Sequence, residues 1–271
     1  MTNLPDAQRI HVGDIRITCL SDGPLPLGVE QLTGVDEPEY ARLLRLHHHD
    51  PETWRSGLNA FVIETGDRKI LVDAGVAGNM GDHTGRVPAN LKAAGFAPED
   101  IDTVFVTHLH PDHIAGLMDG GTARFSNATL RVHQADKDHF TDDDLAQSVL
   151  KAYEHETFAG ETEIAPGLRA LPLPGHTPGH SGLEIMDGSK TLLMWTDIVH
   201  IHPVQLANPS IGTGFDVDGE QAAQTRRQML DRVTADDIPI LGSHITFPGA
   251  GYIEKATEGY RLAPMAYTHD V

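Results

Sequence analysis

Apolar and polar positions alternate along this chain in a way that sets out strands and helices in turn. Residues 10–23, IHVGDIRITCLSDG, switch between apolar and polar and run into a turn, which predicts a half-buried strand. PLPLGVEQLTGVDEPEY (24–40) has no period and reads as an irregular loop carrying Leu25, Leu27 and Leu32. LNAFVIETGDRKILVDAG (58–75) predicts a hairpin, two apolar strands joined at Thr65-Gly66-Asp67. In GRVPANLKAAGFAPEDIDTVFVTH the pattern predicts a helix over 87–94, a stop at Gly95 and a strand over 102–107. A helix is expected from Asp112, a short strand at TLRVH, and a helix over DDDLAQSVLKAYEHETF (142–158), whose acidic first turn suits the helix dipole. The second half continues the same alternation, with strand GLRALPLPG, hairpin HSGLEIMDGSKTLLMWTD, helix DGEQAAQTRRQMLDRV and strand IPILGSH.

Alternating strands and helices, with several strands paired as hairpins, imply mixed sheets. The expected fold is α/β (α+β): an αββα sandwich of two mixed sheets flanked by helices, formed as a single domain over 1–271. Hydrophobic residues at 39% and charged residues at 22% are ordinary for a globular protein, and no apolar run spans a bilayer. The start MTNLPDAQRI has neither a basic nor an apolar export region, so the cytoplasm is the expected location. A net charge of −19 repels phosphate backbones and anionic membranes, which sets nucleic acid and membrane aside as partners. The lone Cys19 rules out an intramolecular disulfide and a thiolate-rich metal site. The 17 histidines stand out, and any metal would be held by His, Asp or Glu.

VTHLHPDHIAGL (106–117) crowds His108, His110, Asp112 and His113 into one turn after a strand. Residues i and i+2 of an extended segment point the same way, so His108 and His110 can grip one ion. Asp112 and His113, on the helix opened behind Pro111, face elsewhere, so one loop can feed two neighbouring ions. Two ions need more ligands. His176 in PLPGHTPGHSG, Asp197 in LLMWTDIVH and His244 in IPILGSHITFPG each follow a predicted strand, where open α/β folds collect site residues. Taken singly, His244 reads as a surface residue and Asp197 as a helix cap. Four strand ends bearing metal-seeking groups make those bland readings hard to hold together.

LVDAG, THLHPDH, GHTPGH, TD and GSH occur here in the order and rough spacing of the metallo-β-lactamase-fold hydrolases, which the chain resembles over nearly its full length. Within them it is most similar to the methyl parathion hydrolase and lactonase branch, through GRVPANLKAAGF and the tail HITFPGAGYIEKATEGYRLAPMAY. The resemblance implies that His108, His110 and His176 hold one ion, that Asp112, His113 and His244 hold a second, and that Asp197 bridges. It implies two Zn²⁺, with Mn²⁺, Fe²⁺ or Co²⁺ also suited to such donors. Asp73 of LVDAG is expected to orient the ligand loop without ligating, and His180 to pack or hydrogen-bond structurally. The implied chemistry is hydrolysis of a lactone or aryl ester by a hydroxide shared between the ions, with Asp112 shuttling a proton and promiscuous phosphotriesterase activity alongside.

His200 stands near the position where related lactonases carry a substrate-contacting Tyr. It is expected to bond the substrate carbonyl or help the leaving alkoxide, the alternative being a solvent-facing ring or a bond to His202. Met80 and Phe215 fall where the branch places apolar pocket walls, Phe140 is a secondary candidate for the pocket, and Phe158 reads as core. His47, His48 and His49 read as a solvated face. The branch implies a homodimer, and loop 24–40 suits either an arm or a pocket lid. Rival readings are a methyl parathion-type organophosphate hydrolase, a glyoxalase II-type thioesterase, for which only Lys255 and Arg261 offer C-terminal cations, and a non-catalytic metal-binding protein.

Overall fold

A computed structural model of the chain describes residues 7–78 and 80–265. Residues 1–6, part of the start read for an export signal, and Ala266 and Tyr267 of the tail lie outside the described residues. Two seven-stranded mixed sheets form the centre of the fold. The first comprises Ala7–Val12 (β1), Ile15–Leu25 (β2), Ser56–Thr65 (β3), Arg68–Val72 (β4), Thr103–Phe105 (β5), Thr129–His133 (β6) and His155–Phe158 (β7). The second comprises Thr162–Ala165 (β8), Leu168–Pro172 (β9), Ser181–Asp187 (β10), Lys190–Met194 (β11), Ile240–Leu241 (β12), Ala250–Lys255 (β13) and Tyr260–Pro264 (β14).

Spatial order follows chain order in both sheets. Antiparallel pairs join β1 through β4, and parallel pairs join β4 through β7 and β11 to β12. Parallel neighbours need crossovers, and helices supply them. Glu37–Leu46 is α1, Val87–Ala93 α2, Pro111–Ile114 α3, Gln134–His139 α4, Asp144–Ala152 α5, His202–Ala207 α6 and Gly219–Ala235 α7.

The inner strands read as unbroken apolar runs because both their faces are buried. Phe61 and Ile63 of β3 join Ile17, Phe105, Leu183 and Met194 in one core between the sheets. Ala60 and Val62 point the other way, into a second core with Leu91 of α2 and Val149 of α5. Leu193, Trp195 and Ile240 pack against Leu230 and Val233 of α7 in a third. Fully burying one such aliphatic or aromatic side chain is worth roughly 1.5–3 kcal/mol. Packing of this size outweighs the weak local preference of strands as short as β5. The expected αββα sandwich is what forms.

Several elements differ from expectation. The single strand over 10–23 is the hairpin of β1 and β2, reversing at Gly13 in the left-handed region (φ +60°). Ile10 pairs with Ile17 and Val12 with Ile15, so apolar alternation runs on through the reversal and hides it. Loop 24–40 contains the start of α1, capped by Asp36, whose carboxylate accepts from Glu39 N at 3.0 Å. Pro38 sits in the first turn, where its missing N–H is harmless. The helix expected over 142–158 ends at Ala152, and its tail becomes β7, paired with β6. Phe158 is core, as read from the sequence. α6 and the β13–β14 hairpin carry no sequence expectation. Among the described residues, no helix is long and apolar enough to cross a membrane.

The histidines at 47–49 are not one solvated face. His49 is half-buried and lies edge-on to Trp54 at 4.7 Å, and Trp54 in turn lies against His202 at 5.1 Å. Burial pushes His202 down to about 3. The unfolded chain would protonate this ring near its ordinary value of 6.5, well before the folded protein does. Its contribution is therefore fully present above 6.5 and lost as pH falls through the window down to about 3. The metal-free protein is expected to lose unfolding free energy between about pH 7 and about pH 4.5, and His202→Phe to flatten that loss in denaturant titrations at several pH values. An equal slope in both proteins would rule the ring out as a source.

Candidate metal centre

The site assembles where strands end. β5 stops at Phe105, and residues 106–110 lead into α3 with His110 as its N-cap residue and Pro111 at the first position. The helix thus begins one residue before Asp112. Gly116 lets the loop after β4 approach closely, because a Cβ there would lie 1.9 Å from the Ala74 carbonyl oxygen. The main chain of 73–75 then bonds the 113–116 segment, Ala74 N to His113 O at 2.8 Å and Gly116 N to Gly75 O at 2.9 Å. β11 runs out into Thr196, a β-branched residue held at φ +45°. Such a conformation is uncommon and needs support. His180 supplies it, with Nε2 2.8 Å from Thr196 Oγ1 and Nδ1 2.9 Å from Leu173 O. His180 therefore hydrogen-bonds structurally, and Asp197 emerges from the strained residue beside it.

Seven predicted residues converge. His108 Nε2, His110 Nδ1 and His176 Nε2 form one trio, with 3.0 Å between the first and second and 3.0 Å between the second and third. Asp112, His113 and His244 form another, Asp112 Oδ2 lying 3.6 Å from His113 Nε2 and 3.5 Å from His244 Nε2. Asp197 Oδ2 lies between them. It is 2.9 Å from His244 Nε2, 3.2 Å from His113 Nε2, 3.6 Å from His176 Nε2 and 3.8 Å from His108 Nε2. His200 is drawn in as well, with Nε2 3.3 Å from the same oxygen and its ring stacked on His244 at 4.9 Å. It is buried and does not face solvent. Ligand nitrogens about 2.0–2.1 Å from a tetrahedral ion sit roughly 3.3 Å apart, close to the spacings in the first trio.

The far nitrogens of these rings are tied down. His113 Nδ1 lies 2.7 Å from Asp73 Oδ2, and Asp73 also accepts from Thr107 N at 3.0 Å and Thr107 Oγ1 at 2.8 Å. Asp73 thus ties Thr107 to His113. His244 Nδ1 faces Gly57 O at 3.2 Å, and His108 Nδ1 faces Thr107 Oγ1 at 3.1 Å. His176 Nδ1 lies 2.9 Å from Asp216 Oδ1. Asp216 is not foreseen from the sequence, since an acidic residue in GTGFDVDGE carries no pattern of its own. Such partners fix ring orientation and raise ligand basicity.

Charge explains why the residues fit a pair of cations. Burial works against charge on both Asp112 and Asp197, yet the adjacent imidazoles, His113 foremost, hold both carboxyls below the ordinary range. Burial likewise opposes protonation of His113 and His244, and the Asp197 carboxylate outweighs it and raises both. Burial pushes His108 well down and His110 to about 3. The buried carboxylates thus demand positive charge at His113 and His244. His113 Nε2 and Asp197 Oδ1 are buried without a hydrogen-bond partner. Unpaired buried polar atoms are costly, and a cation between the ring lone pairs and the carboxylate satisfies both.

Comparison with known proteins shows the family. Residues 53–244 match the family model of the metallo-beta-lactamase superfamily. The chain belongs to that superfamily. It is 29% identical over 202 residues to an N-acyl homoserine lactonase of a Bacillus species, covering 67% of this chain and 78% of the relative. It is 28% identical over 157 residues to an N-acyl homoserine lactonase of Bacillus cereus, covering 50% and 61%. Among solved structures, the hydrolase AbOPH of the beta-lactamase superfamily superposes with a TM-score of 0.91 at 27% identity, over 99% of this chain and 100% of that one. The dizinc quorum-quenching lactonase AidC gives 0.89 at 20% identity, over 98% and 99%, a likeness of fold.

Above the two trios lies a cavity of about 250 Å³. His110, Asp112, Asp197, His200 and His244 contribute to its lining, and Leu25, Leu27, Met80 and Phe215 are its apolar walls. Met80 and Phe215, two of the pocket candidates, thus line it. Phe140 does not. It lies behind His110, edge-on at 5.6 Å and packed on the first sheet's outer core, and does not line the cavity. Leu25 and Leu27 show loop 24–40 serving as cavity wall, while Leu32 is buried with Tyr40 and Leu44 of α1. Cys19 is buried between the sheets, its thiol pushed up to about 12 by burial, away from any chemistry.

Two substitutions test the assembly. His110→Ala is expected to lose bound metal and activity together, measured by elemental analysis of the purified protein. Asp73→Asn is expected to keep the fold but weaken metal binding roughly 10–100-fold in chelator competition, as loss of an orienting partner does. Unchanged metal content in the first variant would remove His110 from the ligand set.

Proposed function

We propose that this superfamily member is a dinuclear-metal hydrolase that opens a neutral lactone or cleaves an aryl ester. The observation that carries the reading is one carboxylate oxygen, Asp197 Oδ2, shared by both ligand trios at the floor of an apolar cavity. His108, His110 and His176 would hold one ion, Asp112, His113 and His244 the other, with Asp197 between, and two Zn²⁺ suit these donors. A pair of divalent cations held there would acidify a water and act as a Lewis acid for the scissile carbonyl.

The chain's own residues do the rest. Asp112 is the most accessible of the carboxylates, with its side chain 16% exposed, and it lines the cavity. Held ionised, it can accept the proton of an attacking water and pass it on. Burial pushes His200 down to about 4, so it is a neutral imidazole at working pH. In that state it can donate one N–H to a substrate oxygen or a departing alkoxide. Leu25, Leu27, Met80 and Phe215 exclude water around the acyl part.

The cavity lining also separates the rival readings. Among the described residues it includes no Lys or Arg. Glutathione and other anionic groups extending from the metal site would find no lysine or arginine in that lining to hold them. Arg261 is paired with Glu254 and lines a different, smaller cavity beside His47 and His49. An open cavity over the metal-site residues argues against a closed, non-catalytic centre. Organophosphate hydrolysis is proposed as the weaker activity, because His200 offers a lactone carbonyl or alkoxide a hydrogen bond. The buried lone Cys19 accords with the cytoplasm as the proposed location.

Dihydrocoumarin is expected to turn over faster than methyl parathion, and chelator to abolish both; the reverse order would favour the organophosphate reading. His200→Leu is expected to lower lactone turnover on the order of 10²-fold while zinc content stays near wild type, as loss of a proton-handling group does. An unchanged rate would make His200 a bystander.

A further inference from the structure

Arg226 on α7 is 1% exposed. A guanidinium is seldom buried so fully without a task. Its Nε donates to the Ile198 carbonyl at 2.6 Å, next to Asp197. Its NH1 group donates to the carbonyls of Pro209 at 2.9 Å and Ile211 at 2.9 Å. Its NH2 group faces Asp216 Oδ2 at 3.9 Å, and the other oxygen of that carboxylate holds His176 Nδ1. The Ile211 carbonyl also accepts from Gln205 Nε2 at 3.2 Å, and Gln205 Oε1 accepts the backbone N–H groups of His200 at 2.7 Å and Ile201 at 3.1 Å. One side chain therefore reaches the loop of Asp197, the carboxylate behind His176 and the anchor of His200.

We propose that Arg226 is a positioning residue of the metal centre, setting His176 through Asp216 and Asp197 through the Ile198 carbonyl. The inference rests on the metal-centre reading above. Asp216 is wedged between three partners: His176, the Thr213 N–H at 3.0 Å and the Arg226 charge. An ionised Asp216 keeps the His176 proton on Nδ1, which leaves Nε2 as the donor atom toward the metal. The planar fork spans the Ile198, Pro209 and Ile211 carbonyls at once, and a lysine ammonium cannot match that spread. The two ligand loops come from strands β9 and β11, and β10 lies between these in the sheet. Beyond the strand ladder and the His180 link from Leu173 to Thr196, Arg226 gives the two loops a further tie.

The test compares wild type, Arg226→Lys, Arg226→Met, Asp216→Asn and the Arg226→Met/Asp216→Asn double variant. Zinc affinity is read by chelator competition, and cobalt-substituted protein by its visible absorption; the melting temperature of the metal-free protein is followed alongside. Arg226→Met is expected to weaken zinc binding roughly 10–100-fold and to shift the cobalt bands. Arg226→Lys is expected to recover only part of the loss, and the double variant to lose less than the sum of the two single losses, because the two share the His176 arm. A role confined to folding would lower the melting temperature and leave the cobalt spectrum and zinc affinity alone, which would overturn the proposal, as would additive losses. Should Arg226→Met not fold, Arg226→Lys and Asp216→Asn decide: unchanged zinc affinity and cobalt bands in both would overturn it. Wild type that binds neither metal would instead bring down the hydrolase reading itself.

Discussion

One buried oxygen organises this protein. Asp197 Oδ2 faces the ring nitrogens of His108, His113, His176, His200 and His244 within 3.8 Å and is almost wholly buried. A carboxylate so enclosed is costly unless positive charge comes with it. The surrounding imidazoles answer that demand unevenly. The two nearest to it are raised toward protonation, while the two on the far side, His108 and His110, are held neutral by burial. Cations placed between the trios would satisfy carboxylate and lone pairs together. The same feature makes the cavity floor electrophilic when loaded, and so ties stability of the centre to its chemistry.

The constraint propagates outward. Each ligand must arrive on a strand end, and each ring must be held by its second nitrogen. Asp73 at a left-handed backbone position, Thr196 in strain under His180, and Asp216 beneath His176 all exist to aim something else. Close approach matters as much as donors. Gly175, at φ +128°, lies against the N-terminus of α7, where a Cβ would fall 2.2 Å from Ala222 N, and this seats the His176 loop. Above this scaffold the walls are apolar and uncharged. The strongly acidic chain repels anions before they reach the site, which is why the proposed substrates are neutral acyl compounds.

By itself, the chain determined the layer order and the metal-seeking residues. Apolar runs in β3, β4 and β10 belong to strands buried on both faces, and the imidazoles and carboxylates of THLHPDH, GHTPGH, TD and GSH follow strand ends by local rules that need no partner. Local rules failed where a long-range contact outweighed them. HETF became β7 because β6 offered it a ladder, and 24–40 became a cavity wall and the start of a helix because Leu25 and Leu27 found the cavity and Leu32 a core. Phe140 was misplaced for the same reason, since sequence position does not say on which side of His110 a ring packs. Asp216 and Arg226 were invisible in the chain. A single acid and a single base, about three helical turns apart in sequence, mean nothing until folding buries them against His176 and Ile198. The residue types were written in order along the chain, but only tertiary structure decided which of them share an ion, because that depends on distances across the sandwich rather than spacing along the backbone.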